Sequence, residues 1–136
     1  MLRKLFLALG SACVLSVGCA EPVAPSLALS AYRVISVDGE SLPTELPVQR
    51  RSGCGPSVLY RSEFAFGADA TFEQRFWFSA DPDEQPAVFR TSFVQKGTRV
   101  KLSDGAGSGR LEHGTLRLDL PATQICASMT WTAVLQ

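Results

Sequence analysis

Four cysteines, one histidine and a short acidic cluster are the residues of this 136-residue chain with chemistry to offer. Zinc chemistry needs thiolates and imidazoles at short spacings. There is no Cys-x-x-Cys, and His113 is the only imidazole, so no metal site is expected. A nucleophilic triad would also have to use His113, which lies between Glu112 and Gly114 at the end of an expected strand. No Gly-x-Ser-x-Gly elbow precedes a helix. Asp81, Asp83 and Glu84 group three carboxylates around Pro82. Calcium takes six to eight oxygen ligands, so this group reads as a solvated turn. The stretch Gly105-Ala106-Gly107-Ser108-Gly109 lacks the Lys-Ser/Thr of a phosphate loop and reads as a flexible hairpin connection. Arg50-Arg51 reads as a surface dibasic pair. The residues therefore point to a protein that is not an enzyme and needs no cofactor.

The cysteines are sorted by the N-terminus. Arg3 and Lys4 precede an apolar run from Leu5 to Val17, and small residues continue as far as Cys19. A membrane-spanning helix needs about 20 apolar residues, so this shorter run reads as an export signal covering residues 1–19. Leu15-Ser16-Val17-Gly18-Cys19 resembles a lipobox, whose cysteine becomes lipidated; Ser16 departs from the pattern, which has Leu there. Ordinary cleavage after Ala20, with Gly18 and Ala20 as the small pair, is the alternative. In the first case the protein is held in the outer membrane by lipid on Cys19, facing the periplasm or the cell surface. In the second it is a soluble periplasmic or secreted protein. Both cases leave Cys54 and Cys126 in an oxidising compartment, where a disulfide is the default. It would close a 73-residue loop and contribute about 4 kcal/mol through chain entropy.

Positions 19 to 136 leave 118 residues, enough for one domain. Without Arg3 and Lys4, eleven basic residues face thirteen acidic ones, a net charge of −2. That excludes the basic excess of nucleic-acid binders and lends no support to electrostatic binding of acidic lipid. Residues 20–30 hold two prolines and no strong period, and read as a tether to a single domain over 31–136.

From residue 31 onward the chain alternates at period two, the mark of half-buried strands. Val58, Tyr60, Phe64 and Phe66 share one face, opposite Arg61 and Glu63. Phe72, Gln74, Phe76 and Phe78 share the next, opposite Glu73, Arg75 and Trp77. Further strands are expected over 88–95, 98–103, 110–113 and 115–120, and a last one over 125–135 carries Met129, Trp131 and Ala133 on one face. The first strand, 32–37, alternates less clearly. Residues 41–57 read as loop, with one short strand near Val48. Seven or eight short strands with short connections predict an all-β antiparallel meander that closes into a small barrel, with a two-sheet sandwich as the alternative.

Tyr32-Arg33-Val34-Ile35-Ser36-Val37-Asp38-Gly39, the Leu42-Pro43 step, Cys54-Gly55, Gly114-Thr115-Leu116-Arg117-Leu118 and the closing Trp131 strand resemble small lipocalin-like bacterial envelope proteins. The resemblance spans about residues 31–135. Its motifs are turns and core positions, so it implies a fold and brings no catalytic residues.

The aromatic residues are the remaining candidates. Tyr60, Phe64, Phe76, Phe89, Phe93 and Trp131 fall on expected inward faces. They either pack as a core or line a cavity for a small apolar ligand. Gln74, Thr91 and Gln95 share those faces, where they would need partners. The expected function is binding of a small apolar ligand or a partner envelope protein, with the membrane reached through the N-terminal lipid and no role for nucleic acid. The alternative is an inhibitor or scaffold acting through the 41–57 loop, braced by the Cys54–Cys126 bridge.

Overall fold

The computed structural model of the chain describes residues 23–46, 57–121 and 128–136. Its strands in chain order are β1 (Ser30–Val37), β2 (Glu40–Ser41), β3 (Thr44–Leu46), β4 (Ser57–Leu59), β5 (Arg61–Phe66), β6 (Thr71–Trp77), β7 (Ala87–Lys96), β8 (Arg99–Leu102), β9 (Gly107–Glu112), β10 (Thr115–Leu120) and β11 (Met129–Leu135). From β5 to β11 each strand pairs with the next, and β1 closes the ring by pairing with both β5 and β11. These eight antiparallel strands are the barrel. The short β2 adds to β1, while β3 and β4 form a separate hairpin. The expected all-β antiparallel barrel is therefore the fold.

Closure gives every barrel strand two neighbours and removes the edges. Inward residues are apolar and outward ones charged: in β10, Leu116, Leu118 and Leu120 are buried while Arg117 and Asp119 are exposed. A membrane-spanning barrel has the inverse pattern, with an apolar outer band.

The first strand alternates poorly for a physical reason. Its pairing with β11 shifts between Val34 and Ser36, so Ile35 is an extra residue. This bulge resets the alternation, and Tyr32, Val34 and Val37 are the buried positions. The adjoining Asp38-Gly39 turn has positive φ at both residues. It is fastened to β11: the Asp38 amide donates to the Thr130 carbonyl at 2.8 Å, and the Thr130 amide donates to Asp38 Oδ1 at 2.7 Å.

Three sequence expectations change. The 41–57 stretch, read as loop with a strand near Val48, holds strand β3 over Thr44–Leu46, paired with β4. The Gly-rich stretch is not all connection, because β9 begins at Gly107. Gly107 and Gly109 share the inward parity of buried Leu111, opposite Leu102 and Val100 of β8. A Cβ on Gly109 would overlap the Arg117 carbonyl oxygen and lie 2.6 Å from Leu118 Cδ2, so β10 crosses too close for any side chain there. The expected tether is also shorter than residues 20–30. Leu27 is 0% exposed and belongs to the core. Its amide donates to Gln95 Oε1 at 2.8 Å, and Gln95 Nε2 donates to the carbonyls of Pro25 and Gly97. One long amide thus pins the N-terminal segment onto β7.

The two barrel ends differ. At the turn end, β5–β6, β7–β8 and β9–β10 are joined by tight turns, and the 23–29 segment docks beside them. At the loop end lie the longer connections, those between β1 and β5, β6 and β7, and β10 and β11.

Candidate functional site

The six aromatic candidates do not all share one environment. Phe64, Phe76, Phe93 and Trp131 are buried, and Phe89 is half-buried against the same cluster. Tyr60 is 40% exposed, against expectation. It falls between β4 and β5, so the alternation does not run through it. Leu59 is buried in its place.

The buried rings meet one another. Trp131 lies 5.9 Å from Phe76 and 6.3 Å from Phe64, centroid to centroid. Phe66, which stands outside the six, contacts Phe93 at 4.9 Å and Phe72 at 5.2 Å. Edge-on and tilted pairs at about 4.5–7 Å are the packing that aromatic quadrupoles favour. Two polar atoms are caught in this cluster. Gln74 Nε2 donates to Ser62 Oγ at 3.4 Å, but Gln74 Oε1 and Trp131 Nε1 have no partner among the described residues. Gln74 follows the inward reading, as does Gln95, whose amide is the clamp on the N-terminal segment.

The other chemical candidates stand apart from these rings. His113 sits at the exposed β9–β10 turn with positive φ. Asp81 and Glu84 cap their own loop: Asp81 Oδ1 accepts from the Asp83 amide and Glu84 Oε2 from the Ser79 amide. Among the described residues no three His, Cys, Asp or Glu side chains gather as a metal site. Cys19, Cys54, Cys126, Arg50, Arg51 and Val48 lie outside the described residues.

A feature that sequence reasoning missed lies on the outer wall. Strand register places Lys96 opposite Arg99, Arg99 opposite Arg110, and Arg110 opposite Arg117. Four cations thus stand side by side across β7, β8, β9 and β10, over about 14 Å at the usual strand spacing. They border an open groove of about 920 Å³, together with Lys101 and Val94. Glu112 pairs with Arg110 at 3.4 Å; among the described residues Lys96, Arg99 and Arg117 have no ion-pair partner. Like charges directly opposite one another destabilise a sheet.

The rest of the wall is built the other way. Arg33, Glu63 and Arg75 alternate in sign across β1, β5 and β6. Glu73 accepts from Arg75 Nε at 2.5 Å and from Arg90 Nε at 2.6 Å. The Arg90 hydrogen bond, aided by Arg75, holds the Glu73 carboxyl below its ordinary value. Beneath Arg61, whose guanidinium lies 3.8 Å from the ring centroid, Trp77 is buried on this outer face. The balanced formal charge of the chain therefore hides a barrel with a charge-balanced wall and a cationic one. The signal was available in the sequence only as register: Arg110 and Arg117 are equidistant from the His113-Gly114 turn.

The chain matches no protein-family model, no curated protein and no solved structure.

Proposed function

We propose that the protein is a non-enzymatic, lipocalin-like envelope lipoprotein, held by lipid on Cys19, that binds a partner protein through its outer surface. The packing of the interior carries this reading. Phe64, Phe72 and Trp131 are fully buried against other rings, so the space a lipocalin-like barrel could give to a ligand is given to side chains. Binding is then left to the outside. The loop end supports it, since it presents exposed Tyr60 before β5 and Phe78 after β6; a Cys54–Cys126 bridge would brace the 41–57 connection as a further contact surface. Localisation in the outer membrane, facing the periplasm or surface, rests on the lipobox-like N-terminus.

A second reading is supported by Gln74 Oε1 and Trp131 Nε1. An acceptor and a donor without partners each cost about 1–3 kcal/mol when buried. Both belong to residues placed around Phe64 and Phe76, where a small ligand with a polar end would satisfy them.

Native mass spectra of the protein purified from its own envelope separate the two. The surface reading expects a bare chain at the mass of the acylated Cys19 form. A reproducible small-molecule adduct would replace it with the interior reading, and an unacylated chain beginning at Glu21 would remove the lipid anchor.

A further inference from the structure

We infer that the Lys96–Arg99–Arg110–Arg117 row is a docking site for the phosphate groups of an anionic phospholipid surface, the one to which the N-terminus is anchored. The occupant rests on the proposed envelope function; the site rests on the barrel.

Three observations converge. The first is the row itself. Four cations stand in register on four neighbouring strands, joined in the groove by Lys101 and faced by two carboxylates, Glu112 and Asp119, on a chain whose other wall alternates sign. Such a row opposes the stability of the sheet unless anions meet it. Arginine forks match phosphate oxygens in pairs, and three of the four members are arginines.

The second is position. Lys96 ends β7 and Arg99 begins β8, so the row lies toward the turn end. Gln95, the neighbour of Lys96, holds the Pro25 carbonyl and the Leu27 amide. The chain that leads back to Cys19 therefore leaves the barrel beside the row. Only a few residues separate docked Pro25 from Cys19, a reach of roughly 20 Å at most. An anchored barrel is held with this end at the membrane.

The third is the apolar fringe. Val23 is 95% exposed and Leu29 is 83% exposed, both on the segment that docks at the turn end. Val94, 56% exposed, lines the groove itself. Cations with exposed apolar side chains in the groove and at the same barrel end suit a headgroup layer, where the charges meet phosphates and the apolar groups reach the acyl boundary.

The test uses the exported chain carrying Cys19→Ser, which has no acyl chain, in sedimentation with vesicles. Vesicles of phosphatidylcholine alone are compared with vesicles in which roughly a third of the lipid is phosphatidylglycerol. Binding is expected only to the anionic vesicles, and should be lost toward about 1 M salt, where the screening length falls to about 3 Å. Removing three charges by Arg99→Gln, Arg110→Gln and Arg117→Gln should weaken it about a hundredfold, at roughly fivefold per cation. Arg33→Gln with Arg75→Gln, on the alternating wall, should leave binding within about threefold, because those cations stand beside Glu63 and Glu73. The triple variant should melt no lower than the parent, since like-charge pairs are being removed.

Equal binding to both vesicles, or full binding by the triple variant, overturns the inference. So does binding to a soluble sulfated polysaccharide without binding to vesicles, which would make the occupant a soluble polyanion. Native protein lacking acyl mass would overturn the anchor alone, because these vesicle measurements contain no lipidated protein.

Discussion

Replacing Gly109 by alanine probes the closest approach in the barrel. The added Cβ would lie 2.6 Å from Leu118 Cδ2 and 2.9 Å from the Arg117 carbonyl carbon, and would overlap the Arg117 carbonyl oxygen outright. Ordinary contact begins at 3.4 Å, so the backbone oxygen must retreat by about 1 Å or more. Leu118 can turn aside, but the carbonyl belongs to a strand held by β9 on one side and β11 on the other. Relief requires β9 and β10 to separate by at least about a fifth of their usual spacing. Overpacking that side chains can absorb costs about 1–3 kcal/mol. Loss of ladder hydrogen bonds at the Gly109–Leu118 pair adds about 1 kcal/mol each. The expected destabilisation is about 3–5 kcal/mol, a fall in Tm of about 15 °C or more for a domain of this size. Thermal and urea unfolding measure it, with Gly97→Ala as the reference. Gly97 has φ +58 and nothing within 4 Å of its added Cβ, so only backbone strain of about 1–2 kcal/mol is expected there. If Gly109→Ala melts no lower than Gly97→Ala, close strand approach is not what requires the glycine.

The placement of Leu27 and Glu73, and the cysteine pair read from the sequence, lead to three more expected outcomes. Leu27→Ala should cost about 2–5 kcal/mol in chemical unfolding, because the side chain is fully buried; a loss below about 0.5 kcal/mol would restore the tether. Glu73 should contribute to pH dependence. Its carboxyl lies below the ordinary 4.5 when folded, so the unfolded chain binds the proton more readily. The stabilisation is present above that ordinary value and is lost as pH falls through the lowered folded one; Glu73→Gln should flatten this limb of an acid titration of stability, and an unchanged limb would refute the Arg90–Glu73–Arg75 account. Native oxidised protein should resist alkylation at Cys54 and Cys126, and Cys54→Ser should destabilise by about 2–4 kcal/mol; labelling of both thiols without reduction would exclude the bridge.

The alternation of Phe64 and Phe66, of Phe72, Gln74 and Phe76, and of Leu116, Leu118 and Leu120 by itself determined which way these side chains face. Period two is a local property of extended backbone, and burying one face of each strand leaves a closed or sandwiched sheet as the stable answer. Local pattern fails where something non-local intervenes. The Ile35 bulge answers to β11, the glycines of β9 answer to β10, and Leu27 answers to Gln95, 68 positions away. Tyr60 escapes the pattern because the alternation breaks between β4 and β5.

The candidate site divides in the same way. Its inward aromatics were legible as residues, but whether they line a space or fill it depends on ring-to-ring distances that arise only when eight strands close. The cationic row was legible neither as composition nor as a run. Its members are spread over 22 positions among acids, and basic and acidic residues balance over the chain. Only register, accumulated over three successive hairpins, sets Lys96, Arg99, Arg110 and Arg117 side by side, because pairing between strands converts distance along the chain into adjacency across the sheet.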